Sequence, residues 1–409
     1  MKDDNDRKRE GTLPTDPEAD AEPMGPPQGQ RPSILEHWRT LEELRSLELE
    51  PPRREWLLSK MNENGKHEGV LPLGKVGMLV AQGGAGKTIA LCQLALSVAA
   101  SPEGFSPEAK GARARLAWLG FLLSVNPGRV LLALGEEDAE EVHRRMYNAA
   151  KAMNLTPEER TRAAQRIVAL PLAGVPCAFI AGDDSEETHV LAELRAKLAE
   201  ESSKGDPFRL VLLDPLSRWA GADTEKDNAA ATRFVQAIES LAAPKYGDGV
   251  HGPTVIVAHH IPKAAKTTSK TPTAAVTARG VSALTDGARW EASLTVKREW
   301  KRKGGKERLG ELPLRVLGFA VTKNNYAARY DAEHLLEVRP GDEGATLHVL
   351  TPEETAAYVR ESREADAQEA ALEKAAKKAA EDATKKATEK LTPEQIKAYE
   401  KDAAEAEFE

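Results

Sequence analysis

The stretch LVAQGGAGKTIALC, Leu79 to Cys92, narrows the possible folds more than any other part of this chain. Upstream, VGMLVA is a short apolar run suited to a buried parallel strand. Downstream, TIALCQLALSVAA has helix-forming composition and is apolar nearly all round, as a buried helix would be. Between them stands the pattern Gly-x-x-x-x-Gly-Lys-[Ser/Thr], with one departure: Ala81 occupies the first glycine position. A phosphate cradle needs consecutive inward-pointing backbone N–H groups with a helix N-terminus behind them. Gly83, Gly84 and Gly86 supply the conformational freedom for it. The first position mainly ends the strand, where a methyl group is tolerable. The stretch therefore predicts a nucleotide site lined by Gly83, Gly84, Ala85, Gly86, Lys87 and Thr88. Lys87 would reach the β- and γ-phosphates of ATP, and the Thr88 hydroxyl would ligate Mg²⁺. A second Mg²⁺ anchor belongs at the end of another buried strand, and Asp214 follows the apolar run Leu210–Leu213 directly.

Charge is unevenly spread over the 409 residues, whose formal net charge is −8. Residues 1–32 carry eight acids and five bases among Pro and Gly, and read as a disordered tail. Residues 353–409 carry sixteen acids and ten bases in an Ala/Glu/Lys-rich run with little to bury, and read as a charged helical tail. The middle is left close to neutral, so the overall acidity says nothing against a nucleic-acid partner. The two cysteines, Cys92 and Cys177, sit in apolar surroundings, which argues against a disulfide framework and for a reducing compartment. The longest apolar run, LAWLGFLL, is too short to span a bilayer, and MKDDNDRKRE lacks a signal-peptide core. These features predict a cytoplasmic protein without a membrane partner.

Residues 33–68 read as an N-terminal helical segment, with Leu35, Trp38, Leu41 and Leu44 on one face. Residues 69–352 read as one ATPase domain. In it, strands alternate with helices, which implies a mostly parallel sheet with right-handed crossovers. An irregular Gly- and Pro-containing segment, roughly 101–128, interrupts the first crossover. The late strands EASLTVKREW, VLGFAVTKN and LLEVRP suggest an antiparallel extension at one edge.

LALGEEDAEEVHRRM places acids at the carboxyl end of a strand, where open α/β sheets put their ligands. A carboxylate there can orient or deprotonate the water that attacks the γ-phosphate, and Glu136 and Glu137 both qualify. Asp138, Glu140 and Glu141 read instead as acids complementing a helix dipole. VIVAHH, also at a strand end, puts His259 and His260 within reach of a γ-phosphate. Two adjacent His without a third ligand make a poor metal site.

The order AQGGAGKT, GEEDAEEVHRR, LLDPLSRW, VAHH, ARGVSALTDGARW and AVTKNNYA resembles that of the RepA-type hexameric replicative helicases of broad-host-range plasmids, which are RecA-like ATPases. The resemblance covers about residues 70–335. It implies a RecA-like P-loop NTPase core, a hexameric ring of identical subunits, and single-stranded DNA as partner. It further implies Glu137 as the catalytic carboxylate and His260 or His259 as the γ-phosphate sensor. Arg279 becomes an arginine finger for the neighbouring subunit, and Lys323 a second residue reaching across that interface. Ala81, the longer 101–128 segment and both tails depart from the family.

The DNA-facing surface is expected in the polar loop IPKAAKTTSKTPTAAVTARG. From Pro262 to Lys306 there are eleven bases against three acids. Lys263, Lys266 and Lys270 alternate there with small residues and no aromatics, which suits backbone tracking rather than base reading. Trp219, Trp290 and Trp300 read as packing residues. A small-molecule kinase is disfavoured because no acceptor or lid motif is evident. A DNA-bound regulatory or defence-system ATPase that does not unwind is the remaining alternative.

Overall fold

The computed structural model describes residues 53–388, apart from 103–115, 125–126, 182–185, 262–281, 300–314, 328–331, 342–343 and single positions 222, 248 and 250; upstream it describes 40–44, 47, 50 and 51. The chain divides into two units, Met1–Arg53 and Arg54–Glu409. The first contributes one short helix, α1 (Leu41–Leu44). Leu35 and Trp38, expected on the same helical face, lie outside the described residues.

The second unit opens with a correction. Where a helical segment is expected over residues 33–68, β1 (Trp56–Met61) and β2 (His67–Pro72) form an antiparallel hairpin. The turn between them is set by Asn62, whose side-chain oxygen accepts from the Asn64 and Lys66 N–H groups. The boundary expected at residue 69 therefore cuts through a strand.

β3 (Val76–Gln82) runs into the glycine loop and helix α2 (Lys87–Ala100). Every residue of α2 except Thr88 and Ile89 is buried, as its apolar composition requires. The segment expected to be irregular ends inside the core. Its short strand β4 (Leu122–Leu123) pairs with β1, and Trp118 donates its indole N–H to the Ala90 carbonyl at 2.7 Å. Trp118 and Phe121 both meet Phe319 edge-on.

Next come β5 (Arg129–Leu134), α3 (Ala139–Ala152), α4 (Pro157–Arg166) and β6 (Ile167–Pro171). Arg162 and Arg166 of α4 donate to the carbonyls of Ala100 and Ser101, capping the far end of α2. A small hairpin, β7 (Ile180–Ala181) with β8 (Glu186–Glu187), precedes α5 (His189–Ser202). β9 (Phe208–Asp214), α6 (Leu216–Trp219), α7 (Asn228–Leu241) and β10 (Thr254–Ile261) follow. The chain continues through α8 (Ser282–Gly287), β11 (Trp290–Glu299), β12 (Arg315–Asn324), β13 (Glu333–Gly341), β14 (Gly344–Val349) and the long helix α9 (Pro352–Thr388).

Nine strands form one sheet in the order β14-β13-β12-β11-β3-β10-β9-β5-β6. The strands from β11 to β6 run parallel, and β12, β13 and β14 add the antiparallel extension. This is the α/β, RecA-like P-loop arrangement that the motif order implies. Strand alternation sorts the side chains into two cores. Leu79 and Ala81 of β3 join Leu91 and Leu94 of α2 on one face. Met78 and Val80 join Phe234 and Ile238 of α7 on the other. Trp219 and Trp290 are fully buried packing residues, as expected; Trp300 lies outside the described residues. Cys92 and Cys177 are free thiols, both buried. Among the described residues no helix is long and apolar enough to cross a membrane.

Candidate functional site

The carboxyl ends of β3, β10, β9 and β5 converge on the glycine loop. Ala81, next to last in β3, is fully buried, its methyl in the core and its register partners being His260 and Leu294. The missing first glycine is thus absorbed by packing. Gly84 and Gly86 have φ of 72° and 87°, the left-handed region where a side chain would be strained. Gly83, expected to share that role, is not among the residues with positive φ.

The Lys87 ammonium points back over the strand ends. It donates to Ala81 O at 3.0 Å and Gln82 O at 3.3 Å, and lies 2.9 Å from His260 Nδ1. A lysine has three donors and no acceptor, so these three partners use all its hydrogens. His260 then accepts at Nδ1 and carries its proton on Nε2. Burial pushes Lys87 down to about 8, while the charges of Asp214 and Glu136 work the other way. His260 is pushed down by burial and by Lys87; His259, more deeply buried, is pushed down to about 4. Both imidazoles are neutral at pH 7. His259 Nδ1 lies 3.7 Å from Glu225.

Thr88 donates its hydroxyl to Asp214 Oδ2 at 2.5 Å, joining the start of α2 to the end of β9. Burial raises the Asp214 carboxyl, and the Thr88 bond and Lys87 oppose that rise. A hydroxyl and a carboxylate are hard oxygen donors, which fits Mg²⁺. Among the described residues no three His, Cys, Asp or Glu side chains gather as a metal site. The donor set suits an ion whose other ligands are phosphate oxygens and water.

The Gly135 N–H donates to Asp214 O at 2.7 Å, which brings the acidic pair to this point. The two glutamates differ. The Glu137 carboxylate is held by Arg145 at 2.7 Å and is mostly buried. Glu136 is half-exposed, 3.5 Å from Arg218, and its charge acts on Lys87 and His260, whereas both glutamates act on Asp214. Asp138 caps α3 by accepting from the Glu141 N–H, as expected of a dipole-completing acid.

Lys323 is placed elsewhere. Its ammonium donates to the Thr285 and Asp286 carbonyls at the end of α8. Arg279, Lys263, Lys266 and Lys270 lie outside the described residues. Three further residues at the loop escape sequence reasoning. Arg145 holds Glu137. Arg315 donates Nη2–H to Gly84 O at 2.9 Å. Gln93 exchanges two hydrogen bonds with the Leu347 backbone, bringing β14 against α2. None of these contacts has a local sequence signature, because each joins elements distant along the chain or facing only in the folded state.

Fold and site together define a P-loop ATPase with a RecA-like core. The chain belongs to the AAA_25 family, described as an AAA domain, whose model matches residues 31–266, more than half of the chain. That span includes Lys87, Thr88, Glu136, Glu137, Asp214, His259 and His260, and stops before Arg279 and Lys323. Two solved structures show partial similarity. A KaiC-like protein from the hyperthermophilic archaeon Pyrococcus horikoshii OT3 is 12% identical over 73% of this chain and 100% of its own, with a TM-score of 0.38. A second structure, described as an ATPase domain, is 12% identical over 66% of this chain and 84% of its own, with a TM-score of 0.40.

Proposed function

We propose that this chain hydrolyses ATP with Mg²⁺ as a ring of identical subunits and moves on single-stranded DNA as a helicase, in line with the RepA-type motif order it resembles. The observation that carries this reading is the separation of two groups of residues across one sheet. Lys87, Thr88, Asp214, His260 and the glutamate pair gather where the parallel strands end. Lys323 pairs with Glu291, which pairs with Met78 near the start of β3. It stands about 10 Å along the strands and about 10 Å across them from Ala81. Lys323 is therefore poorly placed for its own nucleotide, and better placed for a neighbour's in a head-to-tail ring. The helix α8 that holds Lys323 begins three residues after Arg279 in the sequence.

In this reading the loop amides from Gly83 to Thr88 hold the phosphates, and Lys87 exchanges its carbonyl partners for phosphate oxygens. Thr88 and Asp214 hold Mg²⁺, which when bound neutralises charge developing on the β- and γ-phosphates. Glu136, the glutamate in electrostatic reach of Lys87 and His260, takes the proton of the attacking water. Glu137, which the resemblance implies for that task, is kept in place by Arg145 and positions the strand end. His260 offers Nε2–H to the γ-phosphate. Arg279 acts on the adjoining site, a contribution commonly worth ~10³–10⁵ in rate. Lys263, Lys266 and Lys270 track the DNA backbone.

The test is strand separation on a forked duplex by purified protein, with hydrolysis measured with and without single-stranded DNA. ATP-dependent separation and DNA-stimulated hydrolysis are expected. Hydrolysis stimulated by DNA without separation favours the regulatory ATPase instead.

A further inference from the structure

We propose that Arg315 is a nucleotide ligand acting within its own subunit, taking the phosphate chain in place of the Gly84 carbonyl it now holds. This rests on the reading that the loop binds nucleotide. Arg315 opens β12 and pairs with Glu299, the last residue of β11. Because β11 runs parallel to β3, Arg315 emerges at the phosphate-loop end of the sheet, opposite Lys323. Its guanidinium donates to Gly84 O at 2.9 Å. Gly84 is exposed, and a Cβ built on it would meet nothing within 4 Å, so the cation stands at the rim of an open loop.

Two features make phosphate a better acceptor than the Gly84 carbonyl. A carbonyl is neutral, whereas hydrogen bonds from a guanidinium to an anion are roughly twice as strong. The planar guanidinium also offers five donors in a fork that matches phosphate oxygens. Lys87, the loop's own cation, brings a single ammonium to a chain of several negative charges. The base of Arg315 is rigid as well. Val316 and Leu317 beside it are fully buried, and the same antiparallel extension is fixed to α2 by the Gln93–Leu347 bond pair. A cation presented from a packed strand is positioned more precisely than one on a loop.

The alternative is that Arg315 only braces the loop through Gly84. Arg315→Gln separates the two roles, since an amide can still donate to Gly84 O but carries no charge. Equilibrium binding of fluorescent ATP and ADP analogues is measured at several salt concentrations for wild type, Arg315→Ala, Arg315→Gln and Arg315→Lys, with Lys87→Ala as reference. Arg315→Ala and Arg315→Gln are expected to bind ATP at least tenfold more weakly than wild type, with a shallower salt dependence. Arg315→Lys recovers most of the affinity, and all Arg315 variants melt with the empty wild type. Wild-type affinity in Arg315→Gln, or unchanged affinity in Arg315→Ala, overturns the proposal while leaving the nucleotide site standing. Wild-type protein that binds neither analogue overturns both.

Discussion

Lys87 bonds to Ala81 O, Gln82 O and His260, acceptors that a phosphate chain would replace. Its ammonium, depressed to about 8 by burial, regains a proton once phosphates surround it. Nucleotide binding is then accompanied by proton uptake above that pH. Affinity is full below about pH 8 and falls as pH rises, by up to about tenfold per unit. Titrating ATP-analogue affinity from pH 7 to pH 9.5 checks this, and a flat profile contradicts it. The glutamates give a second residue-scale test. Glu136→Gln retains nucleotide binding and loses ~10²–10⁴ in turnover, because an amide can hold a water but cannot accept its proton. Glu137→Gln loses less than tenfold, and Arg145→Ala behaves like it. A dead Glu137→Gln beside an active Glu136→Gln reverses the assignment. Sequence alone leaves this pair open because both follow the same strand end. The side chains are told apart only by partners eight residues or more away: Arg145 for one, and Arg218, Lys87 and His260 for the other.

Helix α9 tests the element scale. Its composition promises a solvated helix, and the described side chains from residue 366 to 382 are exposed, with Leu372 at 72%. Its first turns differ. Tyr358, 7% exposed, packs on Val316 and Leu350 against Leu335. A chain ending at residue 365 therefore keeps wild-type melting temperature and ATPase activity. Tyr358→Ala costs about 2–4 kcal/mol, as emptied aromatic core sites do. Thermal unfolding of both variants measures this, and an unshifted Tyr358→Ala rules out the anchor. The strands and helices around the glycine loop are legible because each is a long periodic or apolar run. The hairpin β1–β2 is not. Its strands are six residues each, and the leucine spacing upstream carries the helical pattern too far. Helix α4 has a readable start that periodicity passes over: Thr156-Pro157-Glu158-Glu159 is a capping box with proline at the first helical position. β14 escapes because its partners, β13 and the Gln93 side chain, are tertiary.

At the scale of the whole molecule, the account requires that one subunit's sheet serve two nucleotide sites from opposite ends. Lys87 serves the site at the carboxyl ends of the parallel strands, while Lys323 and helix α8 stand at the other end. The most direct measurement mixes two inactive proteins, Lys87→Ala and Arg279→Ala, over a range of ratios after demonstrated subunit exchange, and follows ATP hydrolysis. An intact site then arises wherever a subunit bearing Lys87 meets a neighbour bearing Arg279. The ring account predicts that turnover reappears in the mixtures and peaks at intermediate ratios. If each subunit instead completes its own site, every protein in the mixture carries one fatal defect. Hydrolysis that stays at background at every ratio would contradict the account.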